Sequence, residues 1–334
     1  MTVKIGINGL GRIGRMIIRS LIENNNNNIE IKHINSRSNS EVVSSLLKYD
    51  SIHGKFNCDI KHKDNHLIIN KKKITFSQHS NLNEIKWRNF GVDYVLECTG
   101  KFNSKDKLIT HLKNGAKKVI VSAPCKNADK TIVYGVNHKS INNNDLIVSA
   151  ASCTTNCLAP VAYVINKEFK IEKGFMTTIH SYTADQRLLD NSHKDARRAR
   201  SAGQSIVPTS TGASKSLGEI IPELKGKLEG SAMRVPTPNV SLIDFVFNSR
   251  GNLSVKKIND AFINASKKDL KNILSTTEEK LVSIDFNHNP NSAIVDLSLT
   301  NVVGDNMGKI SAWYDNEWGF ASRMCDLTEY IHKI

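Results

Sequence analysis

The residue best placed to do chemistry is Cys153. It lies in Ser149-Ala150-Ala151-Ser152-Cys153-Thr154-Thr155-Asn156-Cys157, after an apolar strand-like run (Leu146, Ile147, Val148) and before an apolar, helix-compatible run from Leu158 to Ile165. This context puts the sulfur at a helix N-terminus, where backbone N–H groups and the helix dipole favour the nucleophilic thiolate. Cys157, one turn deeper, is expected to be buried and less reactive. His180 ends the strand pattern of Phe175-Met176-Thr177-Thr178-Ile179 and is the natural base for such a nucleophile. Two later stretches suit phosphate. Lys194-Asp195-Ala196-Arg197-Arg198-Ala199-Arg200 concentrates cations, and Pro208-Thr209-Ser210-Thr211-Gly212-Ala213 offers hydroxyls and backbone N–H groups.

A second constellation opens the chain. Val3–Asn8 reads as a short buried strand, Gly9-Leu10-Gly11-Arg12-Ile13-Gly14 follows at once, and Met16, Ile17, Ile18, Leu21 and Ile22 give a helical pattern. Strand, G-x-G-x-x-G and helix in that order is the arrangement that binds a dinucleotide. Gly9 is assigned to the tight turn, Gly11 to close approach of a pyrophosphate and Gly14 to helix–strand packing. About 20 residues on, where an acid would read the ribose of NAD, stand Ser36 and Arg37, a neutral donor and a cation that suit the extra phosphate of NADP.

The elements between these sites alternate. Strands are expected at 29–34, 93–98 and 118–122, a helix at 104–114, and a hairpin of Leu67–Ile69 with Ile74–Phe76 turning over Lys71–Lys73. This implies a mostly parallel, doubly wound sheet, with Gly100 and Ser122 at the strand ends where ligands gather. From Ala232 onward, apolar strands at Leu242–Phe247, Leu281–Asp285, Ala293–Leu299 and Ile310–Tyr314 point to an antiparallel sheet. A helix is expected near Val255–Ala265 and another from Trp318 to the end. The Asn24–Asn28 tract reads as a surface loop between a helix and a strand.

At 334 residues the chain has room for two cores. Hydrophobic content of 39% and charged content of 23% are those of an ordinary globular protein. No apolar run is long enough to span a bilayer, the N-terminus lacks the shape of a signal peptide, and six cysteines are too sparse for a disulfide framework. A reducing cytoplasm is the expected location. The net charge of +14 raises nucleic-acid binding as an alternative role. Its lysines are scattered, however, with no basic tail and no aromatic-interleaved stripe.

Taken together, Asn8–Arg15, Ala151–Cys157, His180–Gln186, Thr211–Lys215, Arg234–Pro238 and Trp313–Glu317 closely resemble the signatures of phosphorylating glyceraldehyde-3-phosphate dehydrogenases, and the likeness spans the whole chain. The resemblance implies an α/β Rossmann-type doubly wound parallel-sheet domain over 1–152. An α+β catalytic domain with a large mixed or antiparallel sheet covers 153–317, and helix 318–334 packs back on the first domain. It implies a homotetramer acting on glyceraldehyde 3-phosphate and inorganic phosphate, with NADP or NAD as cofactor and no metal. Cys153 would attack the aldehyde, giving a thiohemiacetal and then a thioester, and His180 would lower the thiol pKa by ion pairing and accept the hydroxyl proton. Thr183 and Arg234 would grip the substrate phosphate; Ser152, Thr154, Thr211, Gly212 and Arg198 surround the attacking phosphate. Arg12, Ile13, Ser122 and Asn316 match cofactor-holding positions, with Asn316 on the nicotinamide amide.

Three departures matter, two of them from strictly NAD-using members. Those carry Asp at the position of Ser36 and often a Leu-Pro-like pair at Asn191-Ser192. Members accepting NADP resemble this chain at both places and use a hydroxyl, here Ser192, from a neighbouring subunit. Third, Asn316–Phe320 and Ile284–His288 resemble erythrose-4-phosphate dehydrogenase and the anabolic branch, whereas His180–Gln186 and Thr211–Lys215 keep the glyceraldehyde-3-phosphate pattern. Glyceraldehyde 3-phosphate is therefore the first expectation and erythrose 4-phosphate the alternative.

Overall fold

A computed structural model describes residues 2–334. The chain forms two compact units. Unit 1 comprises residues 1–134, 138–152 and 321–334; unit 2 comprises 135–137 and 153–320.

Unit 1 is built on a nine-stranded sheet. Its strands are β1 (Val3–Asn8), β2 (Ile29–Asn35), β3 (Ile60–Lys63), β4 (His66–Ile69), β5 (Lys72–Ser77), β6 (Tyr94–Glu97), β7 (Lys118–Val121), β8 (Lys130–Thr131) and β9 (Ile147–Ser149), in the spatial order β8-β9-β7-β6-β1-β2-β5-β4-β3. All neighbours from β8 to β5 are parallel, and β4 and β3 close the edge antiparallel. The strand order reverses direction on either side of β1, the position at which doubly wound sheets bind ligands. The apolar faces of β1 and of helix α1 (Arg12–Glu23) supply much of the core through Ile5, Ile7, Met16, Ile17 and Ile18, all fully buried. Helix α2 (Ser40–Lys48) is capped by Asn39, whose side chain accepts from the Val42 N–H. Helix α3 (Lys105–Lys113) precedes β7. The hairpin turn is Asn70-Lys71, both at left-handed φ (45° and 68°), so Lys72 and Lys73 lie in β5 and not in the turn as the sequence suggested. The Asn tract does connect α1 to β2.

Unit 2 holds an eight-stranded sheet. Helix α4 (Cys153–Phe169) leads into β10 (Ile171–Ser181), β11 (Val207–Ser210), helix α5 (Ala213–Ile220), β12 (Leu228–Val235), β13 (Ser241–Ser249), helix α6 (Val255–Lys267), β14 (Leu274–Thr277), β15 (Ala293–Asp296), β16 (Asn301–Val303) and β17 (Met307–Tyr314). The spatial order is β11-β12-β10-β13-β17-β15-β14, with β16 on β17. The sheet is mixed and not simply antiparallel, because β10 runs parallel to β12 and β14 parallel to β15. The strand expected over Leu281–Asp285 is instead a 3-10 turn at Ser283–Phe286. Asp285 closes that turn by accepting the Val282 N–H at 2.8 Å, and Phe286 stacks on Trp313 at 5.2 Å. Strand β15 stops at Asp296, whose carboxylate accepts from the Ser298 N–H and hydroxyl and bends the chain before Leu299. Helix α7 (Trp318–Lys333) ends the fold, and Glu329 on it accepts from Asn26 and Asn28 within unit 1.

Candidate active site

In unit 1, the ends of β1, β2 and β6 surround a cavity of about 330 Å³. Gly9, Gly11, Ser36, Arg37, Thr99, Lys101 and Phe102 are among the residues that line it. Gly9 has φ +96°, and a Cβ there would lie 2.8 Å from Thr99. A Cβ on Gly14 would strike the Gly9 carbonyl oxygen at 2.1 Å, so this glycine keeps α1 tight against the loop itself. A Cβ on Gly11 would meet no protein atom, as suits a backbone left open for a ligand. These three positions fit a dinucleotide pyrophosphate at the start of α1. The Arg12 side chain is engaged within unit 1. Both its terminal nitrogens bind Asp50, and Arg12 opposes the effect of burial to hold the Asp50 carboxyl well below the ordinary range. Arg12 and Ile13 can therefore offer an anion their first-turn N–H groups. Ser36 is buried and Arg37 exposed. Ser122 lies at the end of β7, where its N–H donates to the Glu97 carbonyl; it does not line the cavity.

In unit 2, Cys153 is the first residue of α4. The chain reaches it through Ala151, a buried non-glycine at φ 59° whose N–H donates to Ser149 Oγ. Such a conformation costs energy and is kept where a side chain must be aimed. Cys153 Sγ lies 3.6 Å from His180 Nε2. His180 Nδ1 lies 2.7 Å from the Ser181 carbonyl oxygen, which accepts, and 2.9 Å from Arg234 Nη1, which donates; together they orient the ring with Nε2 towards the sulfur, and either ring nitrogen can carry the proton. Arg234 Nη1 donates to the same carbonyl at 3.0 Å and lies 3.5 Å from Thr183 Oγ1. Burial raises the Cys153 thiol, a push only partly offset by Arg234 and the Thr154 N–H. The N–H groups at the helix start pull the thiol down, as the sequence context suggested, and desolvation outweighs them. Burial, then Arg234, lowers His180 to about 3. Burial thus drives each group towards its neutral form.

The remaining predicted phosphate residues have mixed surroundings. The Thr154 hydroxyl is buried and bonded to Tyr314 Oη at 2.9 Å, so towards an anion Thr154 presents its N–H and not its hydroxyl. Arg198 pairs with Asp185, sits 3.6 Å from Asp195 and donates to Thr209 Oγ1 at 3.0 Å. Thr211 Oγ1 accepts the Ala213 N–H, and Gly212 caps α5. Ser192 is exposed, its N–H held by Asn191 Oδ1. Asn316 is buried, with Oδ1 accepting from Ser181 and Ser241.

The first residues match the family model "Glyceraldehyde 3-phosphate dehydrogenase, NAD binding domain" over 3–105, and 152–316 match "Glyceraldehyde 3-phosphate dehydrogenase, C-terminal domain". A glyceraldehyde-3-phosphate dehydrogenase of Xanthobacter flavus is 49% identical over 334 residues, covering 100% of both chains. The chain belongs to the glyceraldehyde-3-phosphate dehydrogenase family. Other members include glyceraldehyde-3-phosphate dehydrogenase 2 of Bacillus subtilis strain 168, 47% identical over 99% of this chain and 97% of its own. The Geobacillus stearothermophilus enzyme is 47% identical over 99% of this chain and 98% of its own. As the fold and the first family model agree, this member carries a Rossmann-type domain for a nicotinamide cofactor.

Sequence reasoning gave Tyr314, Thr178, Asp185, Ser181 and Ser241 no role in this dehydrogenase. Tyr314 Oη bridges Thr154 Oγ1 and Thr178 Oγ1, at 2.9 and 2.8 Å, beneath the catalytic helix. The signal was present in the Trp313–Glu317 motif, but only the pairing of β13 with both β10 and β17 brings that motif to His180. Among the described residues no cluster of three or more His, Cys, Asp or Glu could hold a metal ion, and no helix is long and apolar enough to cross a membrane.

Proposed function

We propose that this family member oxidises D-glyceraldehyde 3-phosphate to 1,3-bisphosphoglycerate, reversibly, with NADP preferred or accepted beside NAD. The observation that carries the chemistry is the 3.6 Å approach of Cys153 Sγ, at the start of α4, to His180 Nε2. Nε2 takes the thiol proton as sulfur attacks the aldehyde carbon, returns it to the nascent alkoxide, and takes it back when hydride departs. The Cys153 N–H at the helix start stabilises the oxyanion. Inorganic phosphate then attacks the thioester carbon, and the thiolate leaves beside the imidazolium. A bound nicotinamide supplies the hydride acceptor. Thr183 and Arg234 hold the substrate phosphate; Ser152, Thr154, Thr211, Gly212 and Arg198 serve the attacking phosphate. Arg198 must then exchange Asp185 for the incoming anion.

NADP use is supported by the lining of the unit 1 cavity, which includes Arg37 and Lys101 but no Asp or Glu. Asn316 meets the nicotinamide amide, and Ser192 of a neighbouring subunit reaches the 2′-phosphate. Assembly as a homotetramer accords with the exposure of Leu188 (81%), Leu189 (72%) and Ile206 (67%). The six free cysteines accord with a cytoplasmic location. Domains of 1–152 and 153–317, with the terminal helix returning to the first, remain our division of labour between cofactor and aldehyde. The test is kcat/KM for NADP and NAD with phosphate present and absent, on wild type and Ser36→Asp. We expect phosphate dependence and a shift towards NAD of roughly tenfold or more in the variant, from like-charge repulsion of the 2′-phosphate. A wild type with no better use of NADP than the Asp variant defeats the cofactor assignment. A higher kcat/KM for erythrose 4-phosphate defeats the substrate.

A further inference from the structure

The amide of Asn316 is held from one side only. Its Oδ1 accepts from Ser181 Oγ at 2.9 Å and from Ser241 Oγ at 3.1 Å. Ser241 Oγ also accepts the Ser181 N–H at 3.1 Å and lies 3.4 Å from Ser181 Oγ, so the two hydroxyls and the amide oxygen form one cluster. Both serines are fully enclosed, at 0% and 1% exposure. Nδ2 donates to no acceptor among the described residues. The residue before Ser241 adds an independent sign of constraint. Val240 is buried against Phe286 and Ile294 at φ 63°, a conformation that β-branched residues avoid. Strain of this kind persists where neighbouring contacts over-determine the backbone. Here it sets the start of β13 so that Ser241 stands between Ser181 and Asn316. Ser181 also offers its carbonyl to His180 Nδ1, so one residue orients both the base and the amide.

We propose that Ser181 and Ser241 are positioning residues that lock Asn316 with Nδ2 outward, making it a donor-only contact for a carbonyl oxygen. This rests on the reading that Asn316 meets the nicotinamide amide. The contact would then recognise the carboxamide oxygen and not its NH₂ group. Removing either serine hydroxyl would free the Asn316 amide to rotate, weakening the nicotinamide contact while leaving the adenosine half untouched.

The test is calorimetric binding without turnover. Ligands are NADP, its 3-acetylpyridine analogue, which keeps the carbonyl but lacks the NH₂, and 2′-phospho-ADP-ribose. Proteins are wild type, Ser181→Ala, Ser241→Ala, Ser241→Thr and Asn316→Ala. Wild type should bind the acetyl analogue within about twofold of NADP; each Ala variant should weaken both by about five- to tenfold, the size of one lost hydrogen bond. Binding of 2′-phospho-ADP-ribose should not change, which also reports that the variants are folded, and Ser241→Thr should restore NADP affinity. Strong discrimination against the acetyl analogue by wild type would overturn the proposal. So would serine variants that bind like wild type while Asn316→Ala weakens NADP alone. If Asn316→Ala weakens neither NADP nor the analogue relative to 2′-phospho-ADP-ribose, the reading of Asn316 itself fails, and the proposal with it.

Discussion

Beneath the glycine loop of unit 1, Glu97 is 1% exposed, yet its carboxylate accepts from Asn8 Nδ2 at 2.6 Å, from His111 Nε2 at 3.1 Å and from the Thr99 N–H and hydroxyl. Trp87 donates to His111 Nδ1, which fixes that ring's proton on Nε2, and Asn35 Nδ2 donates to Asn8 Oδ1. Around Cys153 in unit 2 the groups are less enclosed, Cys153 and Arg234 being half-buried, and their bonding is less complete. Arg234 Nε has no hydrogen-bond partner, Asn316 turns Nδ2 away from its anchors, and His180 turns Nε2 to a sulfur. A closed network fixes a backbone; an open one keeps its capacity for a ligand. Buried polar groups left unsatisfied cost stability, and those beside the reactive sulfur are the ones a reactant can complete.

The comparison breaks most sharply at His180. His180→Asn should lower kcat by about 10²–10⁴, the range for loss of a general base, with little loss of stability. Burial, only partly offset by Arg234 and the Thr154 N–H, then acts on Cys153 without the imidazole, so the pH midpoint for its alkylation should move upwards; an unmoved midpoint would show that the imidazole does not govern the thiol. Glu97→Gln should do the reverse. Its NH₂ group would face donors, costing about 2–3 kcal/mol in urea unfolding, while kcat per folded molecule stays near wild type. A kcat loss exceeding the stability loss would mean that the unit 1 network takes part in chemistry.

The gentlest probe is pH. His33 in unit 1 lies 2.8 Å from both Thr75 Oγ1 and Ser77 Oγ and stacks on Phe90, and burial, then His79, lowers it to about 4. The unfolded chain therefore binds a proton that the folded chain refuses between pH ~6.5 and ~4, and stability must fall as pH falls through that window, by on the order of 3 kcal/mol at most. Urea midpoints at pH 7, 5.5 and 4.5 should decline, and less steeply in His33→Gln. Equal slopes would show that His33 is protonated in place.

Much of this was legible before any coordinates. Cys153, His180 and Gly9–Gly14 carry local signatures, a turn, a helix start and a strand end, each complete within a few residues. Arg12 finds Asp50, 38 residues away, and the Thr154 hydroxyl finds Tyr314, 160 residues on. Leu281–Asp285 has the apolar content of a strand, but Asp285 caps a turn instead. What the sequence hid was long-range polar pairing, since alternation and periodicity report which face is apolar and not which donor finds which acceptor.

The most direct measurement mixes enzyme, aldehyde and NADP without phosphate and follows reduced cofactor and intact mass. The account predicts one equivalent of NADPH per subunit, an acyl group on the peptide bearing Cys153, and its release when phosphate is added. Steady turnover without phosphate, or an acyl group on any other residue, would contradict it.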